Sequence, residues 1–171
     1  MGAERDVTTV NPPAAVDPRP PFRVGWFMVA RSADLAPGSL LERTFVGEQV
    51  VAFRTESGQA AVVAAHCPHL GANLARGGAV VGEALRCPFH SLRWGPDGTC
   101  VGSEYPGDPD YAVRLPAYPT IERFGFLFAW HHPAGGEPTF DIPDLDLAGW
   151  TAITVTTIPI AAHVETVHEN G

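Results

Sequence analysis

The apolar positions of this chain fall into short runs separated by turn residues, and the runs begin at about Gly25. Trp26–Ala30 predicts a strand, followed by Leu40–Val46, a turn at Gly47–Glu48, and a return over Gln49–Arg54. The turn Glu56-Ser57-Gly58 leads into Gln59–Ala65, which is apolar and β-branched. Ala84–Cys87 and Ser91–Trp94 predict two arms of a hairpin. Asp97-Gly98 is a strong hairpin turn with Thr99–Val101 returning from it. Ile121–Arg123 and Phe126–Trp130 face each other across a turn near Gly125, and Trp94, Trp130 and Phe126 are the expected large core residues. This makes about nine short strands with no helix before residue 135, an all-β, mainly antiparallel pattern of the sandwich or small-barrel kind.

The flanks read differently. Residues 1–20 form a Pro-rich arm with little apolar periodicity, and 21–134 form one domain. Residues 135–171 begin as a Pro/Gly/Asp-rich linker. They continue as an alternating strand over Thr151–Ile160 and the start of a helix over Ala161–Asn170.

Composition narrows the field of function. The chain has 171 residues with a net charge of −8, and all 11 basic residues are scattered arginines. An acidic chain without a basic stripe lacks the footprint that phosphate backbones require, so no nucleic-acid partner is expected. No run approaches the ~20 apolar residues of a membrane span, and a soluble, cytoplasmic protein is expected. Gly (18) and Pro (17) together are about a fifth of the chain, which favours strands and turns over long helices. Three cysteines cannot pair completely, so metal binding or catalysis is a better first reading than disulfides.

Two segments carry the chemistry: Cys67-Pro68-His69-Leu70-Gly71 and Cys87-Pro88-Phe89-His90. As spacing this is C-x-H, seventeen residues, then C-x-x-H. Each segment offers one thiolate and one imidazole at the end of a predicted strand, and the prolines and Gly71 hold the backbone in tight loops. A Cys2His2 set admits structural zinc, or an iron–sulfur cluster in which two Cys hold one iron and two His the other. Zinc fingers usually place the Cys pair and the His pair on separate elements. Mixed pairs suit a centre in which both loops must reach both metals.

These residues resemble the Rieske domain of non-haem iron oxygenases. The likeness is carried by CPHLGA at 67–72, RCPFH at 86–90 and RWGPDGTC at 93–100, with GWF at 25–27 and FGFLFAWH at 124–131 as flanking strands. It extends over roughly 21–171. It implies a Rieske-type β-sandwich with two cluster-binding loops, followed by a fragment of an α+β catalytic domain. It further implies a [2Fe–2S] cluster with Cys67 and Cys87 on the inner iron and His69 and His90 on the outer. Respiratory Rieske proteins carry two further cysteines that join as a disulfide; the matching positions here are Ala72 and Phe89, so that bond cannot form. Where the family often has Gly-Trp after the last histidine, this chain has Ser91-Leu92.

The implied role is the electron-input part of an O2-dependent oxygenase. It would be served by a ferredoxin or flavin reductase and would pass electrons to a mononuclear Fe(II) in a neighbouring subunit of a homotrimer. CPFHxxRW and Trp130-His131 look most like oxygenases acting on steroid or sterol rings. His163 and His168 have the H-x4-H spacing of the mononuclear site, but Ile160 stands where the family pattern wants Asp. They are therefore expected to precede the true ligands, and no catalytic residue is assigned in this chain. A stand-alone Rieske ferredoxin and a structural zinc module are the alternative readings. His66 is expected as a partly exposed loop residue, Cys100 as a small buried hydrophobe, and His131-His132 as a solvated turn.

Overall fold

The computed structural model describes residues 22–105, 112–151, 153–156 and 158–159. These form eleven strands: β1 (Gly25–Arg31), β2 (Leu40–Phe45), β3 (Glu48–Arg54), β4 (Ala60–Ala64), β5 (Ala79–Val81), β6 (Ala84–Arg86), β7 (Arg93–Trp94), β8 (Cys100–Gly102), β9 (Ala117–Tyr118), β10 (Thr120–Arg123) and β11 (Phe126–His131). All pairings are antiparallel, in three sheets ordered β1-β11-β10, β2-β3-β4-β9 and β5-β6-β7-β8. The expected all-β class and the hairpins are present. Among the described residues no helix is long and apolar enough to cross a membrane.

Turn chemistry fixes the registers. Phe45 pairs with Glu48, so the β2–β3 turn is Val46-Gly47, one residue earlier than expected. Both central residues have positive φ, 46° and 84°, as a two-residue hairpin of this hand requires. Phe124 and Gly125 repeat the device between β10 and β11, with φ of 55° and 81°. The strands unforeseen in the sequence, β5 and β9, are only three and two residues long and lie among glycines and prolines, where no periodicity can register.

The sheet of β2, β3, β4 and β9 is the middle of three layers. Val51, Phe53, Ala61 and Val63 face a core shared with Leu74, Leu85, Leu92, Trp94, Leu115 and both loop cysteines. Val50, Ala52 and Val62 face a second core with Leu35, Phe45, Leu127 and Ala129. A strand covered on both faces reads as a continuous apolar run, which is what VVAF and AAVV are. Burying each Val or Phe contributes about 1.5–3 kcal/mol. Leu127 and Ala129 point into that second core, whereas Phe126, expected as a core residue, is half-buried.

One charged pair ties the outer β1 sheet to the middle one. Arg54 is nearly buried and donates to the carbonyls of Leu35 (2.7 Å) and Gly58 (2.8 Å). It also donates to both carboxylate oxygens of Glu122, at 2.6 and 3.0 Å. Ser32 donates to the same carboxylate at 2.6 Å. A buried guanidinium is tolerated because its donors are filled.

The strand expected over Thr151–Ile160 is not formed at its described positions, 151, 153–156 and 158–159. No strand lies beside it among the described residues, and a lone strand has nothing to satisfy its backbone. Trp150 and Ile158 are 77% and 71% exposed accordingly. The helix expected over Ala161–Asn170 lies outside the described residues.

Candidate metal centre

The two loops grow from the ends of β4 and β6 and share one closure. The Cys67 N–H donates to the Ala72 carbonyl (2.9 Å), and the Cys87 N–H donates to the Leu92 carbonyl (2.8 Å), five residues on in each case. Such a tight reversal needs a left-handed residue at the fifth position. Gly71 fills it in the first loop (φ 75°) and Ser91 in the second (φ 52°). That explains the glycine seen in the first loop and the strain that the Ser91 departure carries.

The first loop is anchored by Leu74, whose N–H donates to the Ala65 carbonyl at 2.7 Å, and by Asn73, which donates to Glu42 on β2 at 3.0 Å. Gly78 then lets the chain pass directly against its neighbours, since a Cβ there would collide with the Leu74 carbonyl oxygen. The second loop is braced from outside by Glu104. This carboxylate accepts from Arg86 at 2.9 Å, and Arg86 foremost, with Ser91 after it, holds it below the ordinary carboxylate range.

Within this frame the four expected residues sort by chemistry. Cys67 and Cys87, each 2% exposed, sit in the core. They are unbridged and belong to one packed core cluster. Burial pushes the Cys67 thiol up; the His69 backbone N–H, donating to its sulfur, pulls the other way; Cys87 adds to the rise, and the Trp94 indole draws it down. His69 and His90 are half-buried with ring centroids 4.8 Å apart and planes 63° to one another. Leu70 and Phe89, 65% and 59% exposed, stand at the loop tips beside them.

The donors thus form a thiol pair inside and an imidazole pair outside. Among the described residues no three His, Cys, Asp or Glu side chains converge on one point where a single ion would sit. A tetrahedral zinc asks for all four around one ion. Two unlike pairs suit a centre with two metal positions, thiolates at one and imidazoles at the other. The buried His90 Nδ1 has no hydrogen-bond partner among the described residues, and a metal ligand role would satisfy a nitrogen that is otherwise costly to bury.

The remaining candidates resolve into structure. His66 is exposed, as expected, and its backbone bridges to Asn73. Cys100 is half-buried rather than buried, packed against the core that holds the loop cysteines. His131 is no solvated turn: it is half-buried among Phe22, Phe27 and Phe45, with centroids 6.2, 6.2 and 6.3 Å away, and burial lowers its pKa. His132 accepts from the Ala134 N–H at 3.1 Å. His163 and His168 lie outside the described residues. Sequence reasoning missed Glu104 and the polar end of Trp94. A tryptophan two residues after the loop that ends at Leu92 was legible as core, but nothing in the sequence said where its N–H would lie.

Residues 25–119, more than half of the chain, match the Rieske [2Fe-2S] domain family, and the chain belongs to it. A Rieske domain implies a [2Fe–2S] cluster. The chain is similar to cholesterol 7-desaturase of Xenopus laevis, 39% identical over 157 residues, covering 89% of this chain and 34% of that protein. It is also similar to the oxygenase component of 3-ketosteroid-9-alpha-monooxygenase of Rhodococcus rhodochrous, 36% identical over 152 residues, covering 86% and 39%. Among solved structures it resembles dicamba monooxygenase bound to dicamba (TM-score 0.62, 29% identity), over 70% of this chain and 36% of that one. The terminal oxygenase of carbazole 1,9a-dioxygenase from Nocardioides aromaticivorans IC177 is similar at TM-score 0.62 and 25% identity, over 69% and 33%. The chain spans about a third of the length of these relatives.

Proposed function

We propose that Cys67 and Cys87 hold the inner iron and His69 and His90 the outer iron of a [2Fe–2S] cluster, and that this chain is the electron-transfer part of an O2-dependent oxygenase acting on a sterol or steroid ring. The observation that carries this reading is the sorting of the four donors into a buried thiol pair and a half-buried imidazole pair on two identically closed loops. When bound, the cluster supplies a one-electron couple between a reductase and an oxygen-activating iron.

The chain's own residues perform the rest. The buried cysteines exclude water from the inner side, while His69 and His90, flanked by exposed Leu70 and Phe89, bring the outer side to the surface, where a ferredoxin or flavin reductase would meet it. On this reading residues 1–20 are an arm, 21–134 the Rieske domain, and 135–171 the linker and start of a catalytic domain. The mononuclear Fe(II) would then lie in a neighbouring subunit of a homotrimer. The substrate class is supported by the relatives named as a cholesterol desaturase and a ketosteroid monooxygenase.

Electron paramagnetic resonance of the dithionite-reduced protein, with iron and acid-labile sulfide analysis, tests the site. The expected result is the low-average-g spectrum of a cluster with imidazole ligands, with iron and sulfide in equal amounts. Zinc without sulfide, or the spectrum of an all-cysteine cluster, would overturn it.

A further inference from the structure

Trp94 is fully buried on β7, yet its indole Nε1, a donor with no other use, has no hydrogen-bond partner among the described residues. A buried unpaired donor is costly, so its retention in a core otherwise built of aliphatic side chains, Phe53 and cysteines needs a reason. The pairing of β7 with β6 and β8 holds Trp94 opposite Leu85 and Cys100, in the same packed cluster as both loop cysteines. The strands thereby fix the ring at the inner side of the two loops, away from the surface histidines. The side-chain acceptors of that cluster are the cysteine sulfurs alone, since its other members are apolar, and the Nε1 donor has found none of them.

We propose that the Trp94 indole N–H is a potential-setting donor to a sulfur of the two loop cysteines, a positioning residue that raises the reduction potential of the cluster. The inference rests on the reading of Cys67 and Cys87 as iron ligands. A thiolate bound to iron is a stronger acceptor than a thiol, so the orphan donor gains its partner in the loaded protein. Reduction adds one negative charge to the centre, and an N–H aimed at a ligating sulfur stabilises the reduced form more than the oxidised one. In a dry core the effect is screened by no water.

Trp94→Phe removes the N–H and keeps an aromatic ring. The expected result is an unchanged imidazole-type resonance spectrum with a lower midpoint potential. The equilibrium constant for reduction should fall about tenfold, which for one electron is about 59 mV. An unchanged potential with that spectrum intact overturns the inference and leaves the site reading standing. A wild-type protein without an imidazole-type cluster spectrum overturns the site reading itself. Should Trp94→Phe fail to fold or to load, wild-type protein grown on tryptophan carrying 15N at the indole nitrogen decides the matter. Pulsed resonance of the reduced form should then reveal one weakly coupled 15N, and its absence would reject the proposed bond.

Discussion

In residues 67–72 the cysteine N–H closes onto Ala72, and in residues 87–92 the equivalent N–H closes onto Leu92, so the two loops follow one backbone course. Their side chains do not. Histidine is the third residue of the first loop and the fourth of the second, yet the two rings end 4.8 Å apart. The left-handed fifth position is Gly71 in one and Ser91 in the other. The first loop is tied inward, through Asn73 to Glu42; the second is tied outward, through Arg86 to Glu104. The shared closure therefore sets where the cysteines sit, and the unshared contacts set how each histidine is carried.

The largest effect should come from making the outer donors equal to the inner ones. His69→Cys and His90→Cys each replace a neutral imidazole by a thiolate, adding one negative charge to the centre. Both variants should keep an iron–sulfur centre whose potential is lower by about 100 mV or more, the direction in which all-cysteine clusters differ from Rieske centres. Spectroelectrochemistry of the two proteins measures this. A fall in one variant and not in the other would break the equivalence of the histidines.

Much of this site was legible because its chemistry is local. Cys-Pro and the Cys/His spacing name both the loops and the four side chains proposed as donors, and each loop adjoins a strand whose apolar run is plain in the sequence. The middle sheet was legible as strands but not as a middle layer, since the order of three sheets depends on which face of VVAF meets which partner. The strand expected over Thr151–Ile160 failed for the opposite reason: its alternation is real, but alternation forms a strand only beside another edge. His131 misled because a histidine beside a Pro-Ala-Gly-Gly turn reads as solvated, whereas three aromatic rings distant in sequence surround it.

The fifth loop position offers a subtler comparison. Gly71→Ala puts a Cβ into open space but at a φ of 75°, so the cost is backbone strain alone, about 1 kcal/mol. Ser91→Gly relieves the same strain but forfeits the hydroxyl that, after Arg86, favours the Glu104 carboxylate, so the two effects offset and stability should change by less than in Gly71→Ala. Urea midpoints of the two variants against the parent protein measure both. A larger loss in Ser91→Gly would mean that the outward brace matters more than the backbone conformation.

The smallest effect should separate the loops by pH. Glu104 is held below the ordinary carboxylate range by the hydrogen bond from Arg86 and, after it, by the influence of Ser91. A carboxylate whose folded pKa is depressed contributes fully above its unfolded pKa, and its contribution is lost as pH falls through the folded value. The Arg86–Glu104 pair is exposed, so its effect on global stability is slight and should be read locally. Amide exchange of Cys87, whose N–H closes the second loop, should speed up relative to that of Cys67 as the solution is acidified below the carboxylate range, once the intrinsic pH dependence of exchange is removed. Glu104→Gln, which keeps an acceptor but cannot titrate, should abolish that divergence. Parallel behaviour of Cys67 and Cys87 in the parent protein would mean that Glu104 does not brace the second loop.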